Sequence, residues 1–185
     1  MKSLREQFEE DYAAIPVKKQ SGKYKIRYVY DAPWYVWESS QDQVKQVRQK
    51  ICIASIGSFL ILCLCGCLAS GINTEALAVI PMVCSLGLYV IEFFGVLQFC
   101  FSGDKTERIT YNHINRTLHI IPVLRSVCLV GAAGASVWLL VKNGGEIQDM
   151  IVLAGNITGI AGAVFTWKEF QKISVRLEKN HTVEG

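Results

Sequence analysis

The 185-residue chain reads as an all-α integral membrane protein, a four-transmembrane-helix antiparallel bundle with a cytoplasmic N-terminal segment. Three observations predict that class. Hydrophobic residues make up 51% of the chain and charged residues 19%, against roughly 25% charged in ordinary globular chains, and the mean hydropathy is +0.27. The apolar residues are gathered into four long runs, 51–70, 76–101, 118–141 and 150–167. The basic residues sit almost entirely on one side of those runs. This composition excludes a secreted disulfide scaffold, extended disorder and a soluble enzyme fold.

In chain order, residues 1–50 form the N-terminal segment, 51–167 the bundle, and 168–185 a cytoplasmic helical extension and tail. Ser3-Leu-Arg-Glu6 has the form of a capping box, and Leu4, Phe8 and Tyr12 recur on one helical face. A short amphipathic helix over 4–14 is therefore expected, ended by Pro16. Its acidic residues Glu6, Glu9, Glu10 and Asp11 favour packing on the bundle end over contact with anionic headgroups. From Lys23 to Tyr30, basic and apolar residues alternate, the period of a strand. A lone strand is unstable, so it needs a partner. The loop around Arg108–Tyr111 and Arg116–Leu118 offers one, although Ile114, Leu118 and Ile121 fall at helical spacing and favour a third helix starting near Thr106 and bent at Pro122. Trp34, Tyr35 and Trp37 follow Pro33 and suit the headgroup layer. Basic residues interleaved with aromatics can also stack on nucleic acid, but beside a membrane and with modest net charge no nucleic-acid partner is expected. Ser40-Gln-Asp-Gln43 is a second capping box and predicts that the first helix starts well before its apolar run.

Crossing a hydrocarbon core of about 30 Å takes roughly 20 helical residues, because unpaired backbone groups cannot face lipid. All four runs approach or exceed that length. Barrel strands would instead alternate over about 10 positions. The connections 71–75 and 142–149 are too short to hold a domain, so consecutive helices run antiparallel. Phe170, Ile173 and Leu177 continue a helical stripe past the fourth run. The first apolar run starts too late for an ordinary signal peptide and acts as an uncleaved anchor. A lipoprotein-type cleavage at Leu64-Cys65-Gly66-Cys67 competes with this, but it would discard the whole N-terminal segment.

Lys and Arg near span ends are retained in the cytoplasm. Ten precede Ile51, three lie in the loop 102–117 and four follow Trp167, whereas only Lys142 falls on the opposite side. Both termini and the middle loop are thus assigned to the cytoplasm of a multi-pass membrane protein.

Within the spans, Glu92 and Arg125 are the charged residues. Such residues are costly in lipid, at roughly 2.5–3.5 kcal/mol on insertion scales, and tend to face the bundle interior or a wet cavity. Glu92 lies about 13 Å from the end of its span and Arg125 about 10 Å into the next, at 1.5 Å per residue. An ion pair is therefore within reach, with Tyr89, Gln98 or Asn156 as hydrogen-bond partners. It would fix the register of two helices or serve a proton- or cation-coupled site.

Gly131 and Ala135, and Gly155, Gly159 and Gly162, put small residues at spacings of three and four. Such faces let helices approach closely, within the third and fourth spans or between subunits. The seven cysteines all lie in the spans and read as packing residues; Cys63 and Cys67 share a helical face but lack further ligands for a metal. Cys52 and Cys100, near the cytoplasmic boundary, are open to acylation without a stronger motif to support it. Sequons at Asn115, Asn156 and Asn180 fall in the membrane or on its inner side, so no glycan is expected.

HExxH, GxSxG and P-loop motifs are absent, which leaves catalysis unsupported, and no cofactor or metal is expected. The function expected is that of a subunit, scaffold or regulator in a homo-oligomeric or larger membrane complex, with the bilayer and copies of itself or other membrane proteins as partners. The alternative is a small transporter or channel built on Glu92 and Arg125.

Overall fold

A computed structural model describes residues 4–18 and 24–179 of the chain. The order of elements is α1 (Leu4–Asp11), β1 (Tyr12–Lys18), β2 (Tyr24–Tyr30), β3 (Trp34–Trp37), α2 (Gln41–Gly66), a short 3-10 turn (Ile72–Thr74), α3 (Ala76–Phe101), β4 (Lys105–Thr106), α4 (Arg108–Asn143), α5 (Ile147–Phe170) and β5 (Val175–Glu178). The chain is mostly helical, and α2, α3, α4 and α5 are each long and apolar enough to cross a membrane. They pack in a ring, each against its neighbours in sequence, and α5 closes back onto α2.

The fold is not all-α. Two sheets gather at one end of the helices, here called the sheet end. In the first, β1 and β2 form an antiparallel hairpin with Tyr12 opposite Tyr30 and Lys18 opposite Tyr24. The alternating segment thus pairs with the residues just before it, not with the middle loop. Closing a short hairpin costs less chain entropy than recruiting a segment some eighty residues away. Pairing also explains why α1 stops at Asp11 and not near Ala14: from Tyr12 onward the backbone bonds to β2. The capping residue Ser3, Lys23 and the sequon at Asn180 lie outside the described residues.

In the second sheet, β3 is the central strand, antiparallel to β4 on one side and to β5 on the other. Three segments remote in sequence are thereby tied together, and the N-terminal segment, the α3–α4 connection and the C-terminal segment share one end of the bundle. The expected helical extension after 168 ends at Phe170, followed by a turn and then strand β5. Ile173 packs on the core beneath, whereas Leu177 is exposed, so the apparent helical stripe has no continuous surface to cover. The middle loop folds as the helix expected from its spacing. α4 runs for 36 residues, about 54 Å at 1.5 Å per residue, with Pro122 inside it.

The first amides of α2 and α4 are satisfied by side chains, one local and one remote in sequence. The Ser40 Oγ accepts the Gln43 amide at 3.3 Å, as the capping box predicts. The first amide of α4, Arg108 N, donates to the Tyr30 hydroxyl at 3.0 Å, and that hydroxyl donates to Pro33 O at 2.9 Å. Beside it the Arg108 Nη1 lies 3.3 Å from the buried Asp11 carboxylate, and the Tyr12 hydroxyl donates to Glu107 Oε2 at 2.7 Å. Burial, together with the Glu107 carboxylate, pushes the Tyr12 phenol up to about 12. Burial also raises the Tyr30 phenol. The start of α4 is thereby bolted to the N-terminal segment.

The core has three layers. At the sheet end, Trp37, Val44, Val47, Ile51, Val96, Phe99, Ile114, Leu118 and Phe170 form a single cluster. Trp37 meets Phe99 edge-on at 5.4 Å and its Nε1 donates to Gly103 O at 3.0 Å. This tryptophan is therefore a packing residue of the bundle. A middle layer holds Leu62, Tyr89 and Leu129, and the far end holds Cys65, Ile72, Ala78, Ala135, Leu139 and Val152.

The far end is closed by one carboxylate. Asp149, in the first turn of α5, accepts from Ser70 Oγ at 2.5 Å and from Ile72 N at 3.3 Å through Oδ1, and from Glu146 N at 3.2 Å through Oδ2. It joins the α2–α3 turn to the α4–α5 turn while capping its own helix. The Asn73 Nδ2 donates to Cys65 O, in the last turn of α2, and to Leu68 O just past the helix end, both at 2.9 Å.

Candidate functional site

Two buried stripes create the site. On α3, Ser85, Tyr89, Glu92, Val96 and Phe99 recur every three or four residues and face inward. On α4, Leu118, Pro122, Arg125, Leu129 and Ala132 do the same. The helices approach closely one turn toward the sheet end, at Gly95. A Cβ added there would lie 2.5 Å from Thr117 Cγ2, so glycine is required by contact and not by backbone angle. This approach brings Arg125 Nη1 to 3.2 Å from Glu92 Oε2, with both side chains at 0% exposure.

The third member is Tyr89. Its ring lies beneath the guanidinium, with Arg125 Cζ 4.0 Å from the ring centroid. That geometry favours the cation through the negative ring face, by about 2 kcal/mol or more when desolvated. The phenol is held by α2: it donates to Ser55 O, and Ser58 Oγ lies 2.6 Å away. Ser58 in turn bonds to Ala54 O at 2.6 Å. One polar layer therefore links α2, α3 and α4.

The layer is incompletely satisfied. Apart from the ionic contact, neither Glu92 oxygen nor any of Arg125 Nε, Nη1 and Nη2 has a hydrogen-bond partner among the described residues. Buried charged pairs usually offset desolvation with additional hydrogen bonds. Among the described residues, the attraction of the pair and the tyrosine face carry that load.

The remaining sequence-selected residues lie elsewhere. Gln98 is held by His113, Oε1 to Nδ1 at 2.6 Å, away from the pair. Asn156 is buried on α5 with Nδ2 3.5 Å from Ser136 Oγ and with Oδ1 unpartnered among the described residues. Ser136 is eleven residues past Arg125 on α4, about 16 Å along the axis, so Asn156 belongs to a separate layer. The α5 glycines turn chiefly toward α2. A Cβ on Gly155 would collide with Cys65 Sγ, and one on Gly162 would lie 2.7 Å from Ser58 Oγ. At Gly159 it would meet Leu129 at 2.8 Å and Leu62 at 3.1 Å, between α4 and α2. Gly131 is exposed with only Pro81 nearby at 3.9 Å, whereas Ala135 is buried at the far end. Among the described residues no three His, Cys, Asp or Glu side chains converge as metal ligands would.

Sequence reasoning missed Ser55, Ser58 and Asp149. Ser55 and Ser58 are polar residues three apart in an apolar run, the only signal that this face of α2 points at another polar group. Asp149 sits three residues after Glu146 at a helix start, a spacing that marks a cap.

Compared with protein-family models, with curated proteins and with solved structures, the chain shows no match.

Proposed function

We propose that the chain is a multi-pass membrane protein with both termini and the middle loop in the cytoplasm, acting as a structural subunit, scaffold or regulator of a membrane complex. The observation that carries this reading is the Glu92–Arg125–Tyr89 layer, whose two charges are fully buried at the α3–α4 contact. A pair closed off from water suits a device that fixes helix register. The organisation of the two ends supports the orientation. The basic segments meet in the β4–β3–β5 sheet, and Lys142, over the Trp138 ring at 4.9 Å, belongs to the opposite end. The β1–β2 hairpin leaves Tyr24, Ile26 and Tyr28 exposed, a surface suited to a protein partner.

Mass measurement of the intact assembly, extracted in mild detergent, tests this. A complex heavier than one 20.6 kDa chain is expected. A partner-free monomer would overturn the subunit reading, and material monodisperse in plain buffer without amphiphile would overturn the membrane reading.

One observation favours the transport alternative: five polar atoms of the pair lack hydrogen bonds to the described residues, as they would if a second conformation admitted water or an ion. Proton- or cation-driven flux in vesicles, abolished by Glu92→Gln, would establish it.

A further inference from the structure

Between α2 and α5, on the outer surface of the ring, runs a shallow apolar groove lined by Ile53, Ala54, Gly57, Ile61, Ala161 and Phe165. Its floor is made of small residues, because Gly162 lets the two helices meet against Ser58. The hydroxyls along it are already used: Ser58 bonds to Ala54 O at 2.6 Å and Thr158 to Ala154 O at 2.8 Å. Lys50 is the one charged residue among those lining the groove, and it stands at the sheet end. Its Nζ lies 3.9 Å from Glu169 Oε2, a buried oxygen without a hydrogen-bond partner among the described residues, while the other Glu169 oxygen is taken by Lys172. Two ammonium groups thus share one carboxylate, and the mouth keeps an excess positive charge.

The length of the groove is informative. From Lys50 to Ile61 is eleven residues, about 16 Å at 1.5 Å per residue, which is close to half of a hydrocarbon core of about 30 Å. An apolar channel one leaflet deep with a cation at its headgroup end matches a single lipid. A second copy of the chain fits less well. Two-fold docking through this face about an axis normal to the membrane would bring the two Lys50 side chains toward each other near the axis.

We propose that this groove is a binding site for one anionic phospholipid, with an acyl chain along Ala54, Gly57, Ala161 and Phe165 and the phosphate on Lys50 and Lys172. The proposal rests on the membrane reading above and adds a ligand to it. Gly57 makes it testable, because a Cβ added there points into open space, with no atom of another described element within 4 Å. Gly57→Leu is expected to place its side chain in the groove, with the α2–α5 contact at Gly162 and Ser58 left in place. Gly134 is likewise open on α4, so Gly134→Leu is the matched control.

The full chain is purified in mild detergent, mixed with phosphatidylglycerol or phosphatidylcholine, and weighed intact by native mass spectrometry. One phosphatidylglycerol per chain is expected on the wild type and on Gly134→Leu, in preference to phosphatidylcholine. Gly57→Leu should lose it, and Lys50→Gln should weaken it about fivefold, the factor for about 1 kcal/mol per basic residue at a membrane surface. Equal retention by Gly57→Leu and wild type would overturn the site, as would a wild-type dimer that Gly57→Leu splits, since the occupant would then be a second copy. Either result in protein that stays in washed membranes leaves the membrane reading standing; only release of the chain into plain buffer removes that reading.

Discussion

Replacing Glu92 by Leu leaves the Arg125 guanidinium at zero exposure with nothing but the Tyr89 ring against it. At 3.2 Å and an effective dielectric of about 20, the lost attraction is about 5 kcal/mol. Breaking a buried pair from one side typically costs about 3–5 kcal/mol, and the same range is expected here. Arg125→Leu should cost less, about 2–4 kcal/mol, because a stranded carboxyl can take up a proton whereas a guanidinium cannot shed one. That variant still forfeits the cation–π contact. The double variant should lie closer to wild type than Glu92→Leu does, since two leucines leave no charge in the layer. Reversible unfolding in mixed micelles of mild and denaturing detergent, followed by circular dichroism, reads these differences, each 1.4 kcal/mol being a tenfold change in equilibrium constant. If the two single effects add to within about 0.5 kcal/mol in the double variant, the residues are uncoupled and the register-fixing role is refuted.

Four further outcomes follow from particular contacts. Asp149→Ala strips acceptors from Ser70, Ile72 and Glu146 and should lower stability by about 2–4 kcal/mol, seen as an earlier thermal midpoint in detergent; an unchanged midpoint would mean that the far end is not held by this carboxylate. Gly162→Ala, whose new methyl would meet Ser58, should destabilise by about 1–3 kcal/mol, whereas Gly134→Ala, in open space, should stabilise by about 0.5–1 kcal/mol in the same assay. Gly95→Ala should loosen α3 from α4 through Thr117, and a companion Thr117→Ser, which removes the Cγ2 methyl, should recover much of the loss. Tyr12 provides a pH dependence. Its phenol, raised to about 12 from 10.0, stabilises the N-terminal module fully below pH 10.0 and loses that contribution as pH rises through about 12. Ultraviolet titration of tyrosinate should show this late ionisation and its disappearance in Tyr12→Phe.

The four long apolar helices and the charged pair were legible for a local reason. A helix long enough to cross lipid must hide its own polar backbone and can do so with a run of apolar residues, which is visible without knowing any neighbour. Glu92 and Arg125 stand out because each interrupts such a run, and the fixed rise of a helix converts position into depth. Partner assignment for the pair was less legible. Tyr89 acts through its ring face rather than its hydroxyl, and Asn156 sits a layer away beside Ser136. Those outcomes depend on how each helix is rotated about its axis, which depth does not fix.

Covalent order and hydropathy, taken alone, determined four long apolar helices with short connections, the Ser40 start of α2, the helical middle segment and the presence of two opposite charges at similar depth. Only the tertiary structure decided that β3 gathers β4 and β5, that the alternating segment pairs with its immediate predecessor, that the chain beyond Phe170 becomes a strand, and that the α5 glycines turn chiefly to α2. The physical reason is the range of the forces concerned. A helix satisfies its backbone within four residues, whereas a strand of two to seven residues is stable only with the neighbour that completes its hydrogen bonds, and that neighbour can lie anywhere in the chain.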